Sequence, residues 1–324
     1  MFPTALLSCP GMLLPEHLVE LAKLVHIIPA SCNLLKKEIQ DALGSALIWI
    51  VGGNEIITLE ALKRSSVRFI VYIGEQADTA FGAGAFDYCD ENGIKIVTTG
   101  GGREAVALTI IEEMLSHMRY LQSLLLKRFQ PAPGARYLLG QKRIVIVGAG
   151  GIGTLLLDML YNDYGCHDNL FYAGGRGPKP ELDKKGYRYI HELPEAFKAD
   201  LVSLNLTLVP ATTKIIGLNE LRNLNPDGAF FNYARAWEVD PDELFEFLST
   251  RPDARAIFDP FYVEGSDVLA ALRSDNDPLS ITLRGIRSCD NFGDRGHTAT
   301  WRREAYAQYG QNTLRSVREI LSGL

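Results

Sequence analysis

Nothing in the 324-residue chain approaches the ~20 uninterrupted apolar residues that cross a bilayer. The opening MFPTALLSCPGMLLPEHLVE carries no basic residue ahead of its apolar ones, so neither membrane insertion nor secretion is expected. Positive charge is short as well: 33 Lys and Arg face 39 Asp and Glu, for a formal net charge of -6. No basic cluster is long enough to track a phosphate backbone, which removes nucleic acid from the expected partners. The five cysteines, Cys9, Cys32, Cys89, Cys166 and Cys289, are odd in number and form no CxxC pair. That excludes a disulfide framework and a zinc site, predicts no metal, and reads as reduced thiols in a cytoplasm. Low-complexity tracts and internal repeats of 20 to 50 residues are also missing.

What is present is enough apolar material, 47% of the residues, to fill two cores. Short apolar runs ending in glycine or threonine, residues 46–52, 68–74 and 94–100, read as buried strands separated by helical segments. A long helical pattern follows from Arg103 to about Gln130, a candidate bridge between domains, and the Pro131–Gly134 stretch PAPG breaks it. A second strand–helix series begins at QKRIVIVG, with strands expected at 170–175, 199–206, 228–235, 254–261 and 281–288. Strands alternating with helices predict an α/β fold of two doubly wound parallel sheets, with ligands at the carboxyl ends of the strands.

The segment RIVIVGAGGIGTLLLDML sets Gly148, Gly150 and Gly153 in GxGxxG spacing between a strand and an amphipathic helix. The first glycine permits the turn, the second lets backbone approach a pyrophosphate, and the third lets helix and strand pack closely. Gly151, Ile152 and Gly153 then open a helix whose amides face the anion. NAD-selective versions carry an acid at the end of the next strand, for the ribose 2′-hydroxyl. Residues Phe171 to Pro180 hold none; Arg176 and Lys179 stand there instead. Either they meet a 2′-phosphate, giving NADP(H) preference over NAD(H), or they are solvated loop charges.

With these residues in hand the sequence resembles the D-isomer-specific 2-hydroxyacid dehydrogenases, and among them the glyoxylate and hydroxypyruvate reductase type. The resemblance rests on GAGGIG, SLNLTLVPATTKIIG (203–217), FFNYARAWEVD (230–240) and FDPFYVE (258–264), in order along nearly the whole chain. It implies a formate/glycerate dehydrogenase-like fold: a substrate domain of residues 1–102 with 296–324, a Rossmann domain of 103–295, a cleft between them, and a homodimer. It also implies that Thr207, Thr212, Ala234, Arg235 and Asp259 line the cofactor, Asp259 lying near the carboxamide or merely capping a strand end. Arg235 would hold a substrate carboxylate and polarise the carbonyl. Glu264 would hydrogen-bond a catalytic histidine and favour its protonated form.

That histidine is where the pattern departs. One alignment of SCDNFGDRGH puts Asn291 in its place; the other brings His297 back as proton donor, with Asp290 a weaker candidate and a site without a donor still open. Ala236 replaces the usual glycine after the arginine, and the loop before Glu264 lacks the usual proline. On the substrate side, Gly52, Gly74 and Glu75 would line the carboxylate, although Glu75 adds negative charge beside an anion. Two functions follow: a reductase of 2-keto acids or related carbonyls, or a nucleotide-sensing regulatory or scaffold protein whose site has degenerated.

Overall fold

The computed structural model describes residues 2–29, 43–52, 56–74, 77, 80–128, 139–263 and 277–324, with backbone alone at 122–128. The chain divides into two compact units, 1–105 with 300–324, and 106–299. The divisions expected at 102/103 and 295/296 lie a few residues away, and the first real one falls inside the helix Arg103–Arg128.

The first unit holds β1 (Thr4–Leu7), β2 (His26–Pro29), β3 (Ile48–Gly52), β4 (Phe69–Ile73) and β5 (Lys95–Thr98). They form one parallel sheet in the order β2-β1-β3-β4-β5. Side chains alternate along a strand, so an unbroken apolar run buries both faces. Ile48, Ile50 and Val71 pack with Val317 of the last helix, Arg303–Ser322, while Trp49, Val51 and Ile70 pack with Leu62 and Ala85 on the other side. The chain's end thus completes the unit that its beginning starts.

The second unit holds β6 (Ile144–Val147), β7 (Leu170–Ala173), β8 (Arg188–Ile190), β9 (Leu201–Leu204), β10 (Ala229–Asn232), β11 (Arg255–Phe258) and β12 (Phe292–Asp294). All pair in parallel, in the order β12-β11-β10-β9-β6-β7-β8. The direction of progress reverses between β6 and β9, the switch point at which doubly wound sheets open a crevice.

One expected strand is a helix. Residues 281–288 lie in the helix Pro278–Ser288. The alternation in ITLRG imitates a strand, but the start signals decide otherwise. Asp277 accepts from Ser280 N at 2.8 Å and from Ser280 Oγ at 2.6 Å, and Pro278 occupies the first turn. Ser280, Leu283 and Ile286 then share the buried face. The last strand is β12, three residues long and too short to announce itself.

Asn291, just before β12, is buried and aims Nδ2 at the carbonyl oxygens of Leu248, Arg251 and Ala254, at 3.1, 3.0 and 3.0 Å. It ties the end of the helix Pro241–Thr250 to the start of β11. Asn291→Ala removes the side-chain donor shared by all three carbonyls, of which that of Arg251 also accepts from Ala254 N at 3.2 Å. It should cost about 1–3 kcal/mol, read as a lower urea midpoint at unchanged slope. A wild-type midpoint would show the cap to be idle.

Candidate active site

The glycine loop is built by close approach. Gly148 has φ +95°, and a Cβ there would stand 2.7 Å from the Asn205 carbonyl oxygen. At Gly153 a Cβ would come within 2.1 Å of the Gly148 carbonyl oxygen, so the helix Gly151–Tyr164 rests directly on the turn. Around Gly150 the reverse holds: no heavy atom lies within 4 Å of where its Cβ would be. Among the described residues the helix has no side-chain cap, which leaves its first amides, those of Gly151 and Ile152, able to take an external partner. Beside the loop Asn205 donates to Ser203 Oγ at 3.0 Å, while its buried Oδ1 has no partner among the described residues. An open cradle of amides and an orphaned acceptor at the switch point fit a dinucleotide.

Beyond β7 the chain passes through Gly174, Gly175 and Gly177, all at positive φ. Arg176, between them, is exposed and makes no hydrogen bond or ion pair among the described residues. Lys179 is engaged: its Nζ donates to the Ala149 carbonyl at 2.6 Å, and its backbone N donates to the Tyr172 hydroxyl at 2.8 Å. The two cations proposed for one phosphate therefore differ, one held against the glycine loop and one reaching into solvent. After β9, Thr207 is exposed, and Thr212 spends its hydroxyl inside the loop, donating to the Thr207 carbonyl at 2.7 Å and accepting from Val209 N at 2.9 Å.

Arg235 follows β10 and opens the 3-10 turn Ala236–Glu238. Asn232 holds the turn from below, accepting from Ala234 N and donating to the Arg235 carbonyl, both at 3.0 Å. Ala234 is buried, whereas Arg235 is half-buried, with Nη1 on the Ala234 carbonyl at 2.9 Å. Its backbone N donates to Glu238 Oε2 at 3.1 Å. Glu238 is 0% exposed, and its Oε1 has no partner among the described residues. Burial pushes this carboxyl up to about 7, against the Arg235 amide and charge, which pull it down.

His297 lies at the same edge, since Arg295 N donates to the Phe258 carbonyl and His297 N to that of Asp259, at 2.8 and 2.7 Å. Asn291 stands at the amino end of β12, on the opposite edge from Arg235 and His297. The buried Asp259 carboxylate accepts from Thr298 N at 2.9 Å and Ala299 N at 3.1 Å, so it anchors the histidine loop. Arg295 meets Glu113 side-on with two bonds, Nε to Oε1 and Nη2 to Oε2 at 2.8 Å. Between these anchors His297 is held at φ +59°, a left-handed conformation uncommon for a non-glycine residue and often kept where function needs it. Tyr233 is buried beside this network with its hydroxyl unpartnered among the described residues.

Glu264 and Glu75 lie outside the described residues. Gly52 ends β3 and Gly74 directly follows β4 in the other unit, and a Cβ on Gly52 would collide with Met12 Sδ at 2.7 Å. Glu238, Asn205 and Tyr233 were not singled out from sequence. Glu238 had a signal, an acid enclosed by apolar neighbours in AWEV.

The glycine geometry separates folding from binding. Gly150→Ala should leave the melting temperature of the ligand-free protein close to wild type, because the space there is empty, yet weaken dinucleotide binding. Gly153→Ala should itself destabilise, by about 1–3 kcal/mol, because the Gly148 carbonyl must move. Melting curves and nucleotide fluorescence titrations on both variants check this; the opposite pattern contradicts the assigned roles.

Comparison with known proteins agrees with this geometry. Residues 109–288 match the family described as D-isomer specific 2-hydroxyacid dehydrogenase, NAD binding domain. The 2-hydroxyacid dehydrogenase homolog 2 of Schizosaccharomyces pombe is 23% identical over 180 residues, 55% of this chain and 53% of that protein, so the chain spans about half the length of this curated relative. The solved D-lactate dehydrogenase of Aquifex aeolicus, complexed with NAD and lactic acid, superposes with a TM-score of 0.77 at 18% identity, covering 99% of this chain and 96% of that one. The pyruvate reductase of Chlamydomonas reinhardtii gives 0.75 at 18%, covering 99% and 97%. The matched segment takes in more than half of the 324 residues, and the chain belongs to the D-isomer-specific 2-hydroxyacid dehydrogenase family.

Proposed function

We propose that the protein is an oxidoreductase that transfers a hydride between NADP(H) and a 2-keto/2-hydroxy acid or related carbonyl, working as a homodimer in the manner of its family. The observation that carries this reading is that one sheet edge collects the glycine loop, Arg235 and His297. When bound, the nicotinamide supplies or accepts the hydride. The loop amides and Asn205 would hold the dinucleotide, with Arg176 and Lys179 toward a 2′-phosphate. Arg235, its backbone pinned by Asn232 and Glu238, would grip the substrate carboxylate with two parallel hydrogen bonds and stabilise charge on the carbonyl oxygen. His297 would give that oxygen its proton, with Glu264 as its partner. An idle, nucleotide-sensing site is the weaker reading, because the strained His297 and the braced Arg235 are costly to hold without use.

Cofactor choice is tested first. NADPH should bind more tightly than NADH, and Arg176→Ala should weaken NADPH selectively by about 1.5–3 kcal/mol, roughly ten- to a hundredfold. Tighter NADH binding by the wild type would overturn the NADP preference.

Turnover is followed as loss of reduced-nucleotide absorbance with glyoxylate, hydroxypyruvate and bulkier 2-keto acids. His297→Ala should lower it by ~10²–10⁴ with nucleotide binding retained. Arg235→Lys should rescue Arg235→Ala poorly, since an ammonium cannot reproduce a bidentate grip. A silent His297→Ala removes the proton-donor assignment.

A further inference from the structure

The Glu238 carboxyl has no stated part in the reaction, yet its surroundings are unusual. It is wholly buried beneath the turn that carries Arg235, between Trp237, whose carbonyl accepts from Lys214 N, and Val239, whose carbonyl accepts from the Tyr262 hydroxyl at 3.1 Å. One oxygen receives the Arg235 amide; the other receives nothing among the described residues. A structural carboxylate in such a place normally collects several donors, as Asp259 collects two amides on its Oδ1.

The charged groups on the elements packed around it are otherwise occupied. Lys214 pairs with Asp240 at 3.0 Å, Glu220 and Glu243 accept the amides of Gly217 and Leu218, Asp242 accepts from Thr282, and Arg222 pairs with Glu246. Arg235 is therefore the charge that acts on Glu238 among the described residues.

We propose that Glu238 is a positioning residue for Arg235, and that binding of a carboxylate ligand at the arginine is coupled to uptake of a solvent proton by the Glu238 carboxyl. This rests on Arg235 being the substrate-anion site. Ionised, Glu238 grips the Arg235 amide but cancels part of the guanidinium field and repels an arriving anion. Protonated, it releases that field to the ligand. Because burial holds the carboxyl near neutrality, both forms are populated at ordinary pH, and a ligand anion tips the balance toward the protonated one. Anion affinity accordingly falls as pH rises through neutrality.

The test uses oxalate, an unreactive mimic of a 2-keto acid, titrated calorimetrically into the full chain with NADPH, and in parallel with NADH, in buffers of different ionisation heat. Wild type should take up a fraction of a proton per oxalate near neutral pH and lose about five- to tenfold in affinity from about pH 6 to about pH 8.5. Glu238→Gln, which keeps the shape, and Glu238→Met, which removes the polarity, should take up less proton per oxalate and show a shallower profile than wild type, what remains being the His297 imidazole's, as the same measurement on His297→Ala with and without Glu238→Gln separates; melting curves check that each is folded. Infrared difference spectra of the wild type, with and without ¹³C-labelled oxalate, should gain a protonated-carboxyl band, a readout that needs no variant. Proton uptake and slope unchanged in Glu238→Gln, or no such band in the wild type, overturn the coupling while leaving Arg235 as the anion site. If wild type binds no oxalate, or Arg235→Ala binds it equally well, the anion-site reading fails and the coupling falls with it.

Discussion

The distance of closest approach between one helix and one turn governs the glycine loop at the switch point. With a Cβ at Gly153 excluded by the Gly148 carbonyl at 2.1 Å, the helix Gly151–Tyr164 can sit directly behind β6, its uncapped amides emerging at the switch point. The same turn receives the Lys179 ammonium and the Thr154 hydroxyl on the Ala149 carbonyl, at 2.6 and 3.1 Å. Rigidity comes from beneath, since every residue of β6, β9 and β10 is buried and the strands cannot shift without opening both faces of the core.

The two groups proposed to meet substrate share a design, each resting on a buried carboxyl. Asp259 collects two amides and the His297 loop hangs from it, with the Arg295–Glu113 pair as a second anchor to the long helix. Among the described residues Glu238 collects one amide, from Arg235 itself. A carboxylate with several donors is a fixed anchor; one sealed from water with a vacant oxygen has little to hold its charge. Among the described residues, the histidine is therefore placed by a carboxylate that collects two amides and the arginine by a carboxyl that collects one. That difference is why the first anchor reads as architecture and the second as a response to what binds above it.

Much of this was legible without coordinates, for local reasons. Short apolar runs marked eight of the twelve strands found among the described residues because a strand buried on both faces carries little else, and the glycine spacing marked the tight turn because Gly148 and Gly153 leave no room for a Cβ. The failures have physical causes as well. Residues 281–288 alternate like a strand, but Asp277 and Pro278 cap a helix whose buried face is set by packing against its neighbours. That the Thr212 hydroxyl bonds within its own loop is likewise a matter of the folded loop and not of local pattern.

The sequence by itself determined the class of fold, two parallel α/β units, and the position of the tight glycine turn at the head of β6, because periodicity and glycine stereochemistry act over a few residues. Only the tertiary structure decided which polar groups stand at the working edge. Asn291 and His297 are six residues apart in an unpatterned loop, and it is the pairing of β12 with β11 that sends one to the amino edge, under a helix end, and the other to the carboxyl edge beside Asp259. Glu238 likewise looks like any acid in a turn until the surrounding elements close over it; burial is a property of the whole packing, and no local pattern carries it.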